Sequence, residues 1–203
     1  MLSISKQRGV TLIELIVGIT IISILFMLAA PSYRTWVQNQ QVRAGAESIL
    51  NGLRLARSTA VSNNAPARFV LCDVNNQTTS WEVLAASATA AAPTASKACA
   101  GASPGSDAAA GDVRVQERSG QEGSKFAKIS LVLPIVTTTV TFNGLGRVVS
   151  VNANPNYPTP FSQLTVSNPA GDRPLQINIA NPGGNTRMCD PSPLLAATDP
   201  RHC

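Results

Sequence analysis

A chain of 203 residues with 4% aromatic side chains has room for one medium domain plus an appendage, and its core must come largely from Val, Ile, Leu and Ala. Its formal charge of +5 includes Lys6 and Arg8, ahead of Gly9, so the remainder carries too mild an excess to mark a nucleic-acid binder. Four cysteines without Cys-x-x-Cys spacing and a single histidine, His202, argue against a metal site and for disulfides in an oxidising compartment.

The chain opens with "SKQRGVTLIELIVGITIISILFMLAAP". The apolar run from Val10 to Ala30 makes about 32 Å of helix at roughly 1.5 Å per residue, which matches a hydrocarbon core of about 30 Å. An ordinary secretory signal would be cut after "MLAA". That reading puts Pro31 at the first mature position and leaves Glu14 inside the apolar region. The competing reading cuts between Gly9 and Val10 and keeps the apolar helix.

The second reading has a specific resemblance behind it. "RGVTLIEL" resembles the processing site of type IV prepilins and type II secretion pseudopilins: a short basic leader, Gly, an apolar residue, Thr-Leu, and Glu fifth after the cut. Val10 stands where Phe is commoner, and Pro31 falls where many of these proteins carry a helix-bending proline. The resemblance implies cleavage after Gly9 by a prepilin peptidase and N-methylation of Val10. Physical reasoning accounts for Glu14. A charge deep in a bilayer costs at least roughly 2.5–3.5 kcal/mol and normally finds a partner. Cleavage creates a cationic α-amino group on Val10, and in a filament the Glu14 carboxylate of a neighbouring subunit can meet it. A slip in axial register would leave both charges unpaired in an apolar medium.

Beyond Pro31 the helical period continues. Val42, Ala46, Ile49, Leu50, Leu53, Ala56 and Ala60 form one stripe, Arg43, Glu47, Arg54 and Arg57 lie mostly off it, and "SNNAP" at 62–66 ends it. The stripe predicts core packing against a periplasmic domain. "LRLARSTAVSNNAPARFVLC" is similar to the end of this helix and the first strand in the GspH/FimT/FimU branch of minor pilins and pseudopilins.

After residue 66 the period shifts toward two. "ARFVLC" and "SWEVLA", separated by the turn-rich "DVNNQTT", predict a hairpin. Residues 85–111 are low-complexity Ala/Ser/Gly/Pro and predict a flexible loop. "LVLPIVTTTVTFNGLGRVVSV" predicts strands around a turn at Asn143-Gly144-Leu145-Gly146, and "FSQLTVSN" and "LQINIAN" predict later strands. "FNGLGRV" also resembles a Phe-x-x-x-Gly-Arg hairpin of the GspH-like branch. The expected fold is α+β: a long N-terminal helix, half transmembrane and half amphipathic, packed on a C-terminal antiparallel β domain. The chain divides into a leader at 1–9, a transmembrane or filament-core helix at 10–31, an amphipathic helix at 32–62 and a periplasmic β domain at 63–203.

Catalytic patterns fail on mechanism. "GASPG" at 101–105 fits Gly-x-Ser-x-Gly, but the residue after the nucleophile must donate its N–H to the oxyanion, and Pro104 has none. "GLGRVV" lacks the Lys and spacing of a phosphate-binding loop and reads as a turn. His202 reads as a solvated side chain. No enzyme activity, cofactor, metal or small-molecule substrate is expected.

Four cysteines admit three pairings. The expected one is local and joins Cys72 to Cys99 and Cys189 to Cys203. The tail "GGNTRMCDP" resembles the end of FimT- and FimU-like proteins, whose final strand reads Gly-Arg-x-Arg, a hydrophobic residue and Cys. In FimT that arginine pair is implicated in DNA binding during natural transformation. Aligned on Arg187 and Cys189, this chain has Gly184 in place but Asn185 where the first arginine belongs, with Asp190 and Asp199 close by. Phosphate binding depends on the number of cations engaged, so DNA is the lesser expectation, with Arg147, Arg173 and Arg201 the candidates to complete a patch.

The resemblance as a whole implies a FimU-like minor pilin that helps initiate or cap a pilus by association with other minor and major pilins. It would be stored in the inner membrane, N-terminus cytoplasmic and β domain periplasmic, and would then join the pilus at its tip. A FimT-like DNA-binding pilin and a GspH-like secretion pseudopilin are the alternatives.

Overall fold

The computed structural model describes residues 10–72, 77–85, 113–131, 138–149, 159–196 and 198–203, with the side chains of 28–31 excepted. The expected leader with Gly9, the Gly-x-Ser-x-Gly match and Cys99 lie outside these residues, as does the expected flexible loop save Ala85. The chain forms two compact units, one reaching to Val37 and the other spanning Gln38–Cys203.

One helix, α1 (Leu12–Asn63), dominates the sequence order. Thr11 caps its start: the Thr11 hydroxyl accepts the Glu14 N–H at 3.4 Å and the Thr11 carbonyl accepts the Leu15 N–H at 3.2 Å. Thr-x-x-Glu is the capping-box spacing, which satisfies amides that the first helical turn leaves without partners. Within the apolar stretch, Thr20 and Ser23 donate their hydroxyls to the carbonyls of Val17 and Ile19, each at 2.8 Å. Their polar atoms are thereby satisfied inside the helix. The helix is bent between Met27 and Ser32, over the four residues that include Pro31. Among the described residues no single helix is long and apolar enough to cross a membrane; the bent pair Leu12–Met27 and Ser32–Asn63 has the length and composition to do so.

The other end of α1 closes on a left-handed asparagine. Asn64 has φ +46°; its N–H donates to Val61 O at 3.3 Å, and the Ala65 N–H donates to Ala60 O at 3.2 Å. These two bonds are a Schellman closure, with Pro66 next to prevent continuation. The "SNNAP" stop therefore has a full local explanation.

Among the described residues nine strands follow: β1 (Ala67–Leu71), β2 (Trp81–Ala85), β3 (Val113–Arg118), β4 (Lys128–Leu131), β5 (Thr139–Phe142), β6 (Val148–Val149), β7 (Gln163–Ser167), β8 (Leu175–Ile179) and β9 (Thr186–Cys189). They make two antiparallel sheets, ordered β3-β2-β1-β5-β6 and β4-β7-β8-β9. The predicted hairpin is β1 with β2, paired from Ala67↔Ala85 to Leu71↔Trp81. The turn at 143–146 joins β5 to β6; the Asn143 side chain accepts the N–H groups of Leu145 and Arg147, each at 3.0 Å. Strands β3 and β4 have no counterpart in the sequence reading. The β3 segment "VRVQER" is charged and largely exposed apart from the Arg114 side chain, so pairing with β2, not burial of an apolar face, makes it a strand.

The helical stripe is the centre of the core. Val42, Ala46, Ile49, Leu50, Leu53, Ala56 and Ala60 are all buried, against Phe69, Trp81 and Phe142 of one sheet and Leu164, Val166 and Ile177 of the other. Contact is close enough that Gly52 has no room for a side chain: an added Cβ would sit 2.7 Å from the Phe69 ring and 3.0 Å from Trp81. The Trp81 indole N–H donates to Ser48 Oγ at 2.8 Å, which satisfies a polar pair buried between helix and sheet. The α+β expectation is borne out: a long bent N-terminal helix packed on antiparallel sheets.

Candidate assembly segment and C-terminal platform

Two regions hold the residues singled out from the sequence. The first is the start of α1. Val10 is 72% exposed, and from Leu12 to Met27 all the large apolar side chains are exposed too. Glu14 stands among them, also exposed, with its backbone N–H engaged by the Thr11 cap. This surface is long, apolar and single-charged, and among the described residues nothing in its own unit covers it. A patch of this size marks a site for membrane or partner protein.

The second region is the C-terminal end. Cys189 closes β9 and is disulfide-bonded to Cys203, with Cα atoms 5.1 Å apart. Cys72 is also disulfide-bonded, and the partner proposed for it, Cys99, is outside the described residues. Inside the ring from 189 to 203, the Asp190 N–H donates to Arg201 O at 2.7 Å and the Cys203 N–H donates to Asp190 O at 3.2 Å. His202 is half-buried and bridged through its backbone to Asp190.

Arg187 is exposed on β9, opposite Asn178 of β8. Its guanidinium donates from Nη2 to Pro200 O at 2.8 Å and to His202 O at 3.3 Å. The arginine therefore braces the disulfide ring from within the same chain. Asn185 also has a structural occupation: its Oδ1 accepts from Arg57 Nη1 at 3.0 Å, while Arg57 Nε donates to Gly146 O at 3.1 Å. Arg57 thus ties α1 to the β5–β6 turn and to the start of β9. An arginine at 185 would put a like charge against the Arg57 guanidinium. Sequence reading placed Arg57 off the apolar stripe and assigned it no role, because its partners lie about 90 and 130 residues away along the chain.

The other arginines singled out from the sequence have local surroundings of their own. Arg201 is paired with Asp199, Nη2 to Oδ2 at 2.7 Å. Hydrogen bonds from the Arg201 side chain, then its backbone, hold the Asp199 carboxyl down at about 2. Arg173 precedes β8 at the end away from Asn178, next to Asp172, which is itself held by Asn39 at 2.7 Å. Arg147 is exposed beside Gly146, on the turn that Arg57 holds. Among the described residues no group of three or more His, Cys, Asp or Glu is placed to hold a metal ion.

A capped, apolar, bent N-terminal helix whose second half is the spine of an antiparallel β domain is the build of a pilin-like filament subunit. Comparison with known families agrees. Residues 4–30 match the prokaryotic N-terminal methylation motif, and residues 45–183 match the family described as type II transport protein GspH. The second match spans more than half of the chain, and the protein belongs to the GspH family of minor pilins and pseudopilins. The family is structural, not enzymatic. No curated protein and no solved structure matches the chain. The methylation motif implies processing by prepilin peptidase and anchoring of the apolar helix in the inner membrane before assembly, and the family implies association with other pilins. The GspH match stops at residue 183, before Asn185 and Arg187.

Proposed function

We propose that this chain is a FimU-like minor type IV pilin that helps initiate or cap a pilus through subunit association. In this reading prepilin peptidase removes residues 1–9 by cutting between Gly9 and Val10, and Val10 is then N-methylated. Residues 10–31 form the filament-core helix, kinked at Pro31, and 32–62 dock on the periplasmic domain 63–203. The observation that carries the reading is the apolar surface from Val10 to Met27 with Glu14 as its one carboxylate. Such a surface has no use in water, and its lone charge needs the ammonium of a neighbour's Val10.

A second reading, a secretion pseudopilin, is favoured by the matching family, which is described as type II transport protein GspH. Both filaments use the same helix and the same carboxylate. The DNA reading loses support at the tail: Arg187 is spent on two carbonyls of its own chain, and Asn185 serves as an acceptor for Arg57. One deletion strain separates the three. Loss of surface pili and twitching supports the pilus, retained periplasmic exoproteins support the secretion filament, and failed transformation with intact pili supports DNA capture. Normal behaviour in all three assays overturns the proposal.

A further inference from the structure

The first unit carries an aromatic pair placed just past its apolar run. Tyr33 and Trp36 are 64% and 57% exposed, and their ring centroids lie 5.9 Å apart at an interplanar angle of 32°. At three residues' spacing they share one helix face. Arg34, also exposed, lies between them. Among the described residues neither the Tyr33 hydroxyl nor the Trp36 indole N–H has a hydrogen-bond partner. Each ring thus presents an apolar body to the surroundings and a polar tip that still needs water or an acceptor.

Their distance from the apolar run selects the surroundings. The run ends at Ala30, and at about 1.5 Å per residue Tyr33 lies about 4.5 Å and Trp36 about 9 Å further along the helix; the 47° bend between Met27 and Ser32 makes the rise along the direction of the run smaller than that path. A bilayer's polar layer adds about 5–7 Å on each side of its hydrocarbon core. With the bend shortening the rise, both rings fall at the depth of that layer when Val10 to Ala30 fills the core, Tyr33 toward its inner side and Trp36 toward its outer side. Tyr and Trp are enriched at this depth because their amphipathic rings fit it, and a cation beside them faces lipid phosphate.

We propose that Tyr33, Arg34 and Trp36 form an interfacial anchor that seats α1 in the periplasmic headgroup layer of a phospholipid bilayer. The anchor fixes the depth at which the subunit is held before it leaves the membrane. The proposal rests on the reading of α1 as a membrane helix, and the test separates the two.

The mature full-length chain is reconstituted into vesicles of phosphatidylethanolamine and phosphatidylglycerol that include a lipid brominated either near the glycerol or near the chain end. Flotation with the vesicles reports membrane insertion. Tryptophan quenching reports depth, with the spectrum of Trp36→Phe subtracted. Trp81 is a built-in reference, being buried in the core and bonded to Ser48. The expected result is flotation together with Trp36 quenching at least about twofold stronger from bromine near the glycerol. Tyr33→Leu should shift that preference toward the chain end. A floating chain whose Trp36 is open to iodide and untouched by either lipid overturns the anchor while leaving the membrane helix standing. Quenching that disappears as the protein-to-lipid ratio rises assigns the pair to a contact between subunits and also overturns it. A chain that does not float overturns the membrane reading and the anchor together.

Discussion

Arg187 illustrates how the role of one residue changes once its neighbours are known. In the sequence it is half of a cationic pair; in the fold it holds Pro200 and His202 by their carbonyls. Arg187→Gln is expected to loosen the ring by about 1 kcal/mol, the modest value of an exposed charged hydrogen bond, seen as a lower thermal midpoint with non-specific DNA affinity unchanged. Asp199 makes a pH-dependent contribution to the same ring. Its folded value of about 2 lies below the roughly 3.9 of an unfolded aspartate. The stabilisation is therefore complete above that unfolded value and is lost as pH falls through about 2. Asp199→Asn should flatten the acid limb of a stability curve between those limits, and an unchanged limb would contradict the pairing. At the other end, the cut proposed between Gly9 and Val10 makes a specific prediction: replacing Gly9 by a bulky residue is expected to leave an unprocessed precursor on a blot.

At the level of elements, α1 and its stripe were readable because a period of 3.6 is a local signal and the stop at Asn64 is written in the next few residues. Gly52 belongs to this scale: a valine there would have to displace the Phe69 and Trp81 rings, and Gly52→Val is expected to abolish the soluble fold in expression trials. Strand β3 was not readable for the opposite reason. Its Arg114 is bonded to Glu82 of β2 at 3.1 Å and to Glu117 at 2.8 Å, and the Arg114–Glu82 pair is over 90% buried. Nothing in "VRVQER" says that a charged segment will be accepted into a sheet by a carboxylate some thirty residues upstream. Removing one partner of a buried pair strands the other. Glu82→Ala should therefore cost toward the low end of about 3–5 kcal/mol, since Glu117 remains, measured by denaturant unfolding.

At the level of the whole molecule, an amphipathic spine places both sheets on one core, and the exposed apolar half of α1 is left for association. The sequence by itself determined the parts whose physics is local: the apolar length from Val10 to Ala30, the lone carboxylate of Glu14, the core stripe, the helix stop and the alternation of the main strands. These follow from side-chain period, transfer cost and capping, all contained within a few turns of chain. Only the tertiary structure decided that the strands split into two sheets, that Arg57 reaches Gly146 and Asn185, and that the exposed Arg187 holds carbonyls of its own ring. Each of those joins groups far apart in sequence, where the decision rests on which polar atoms folding brings within hydrogen-bond reach.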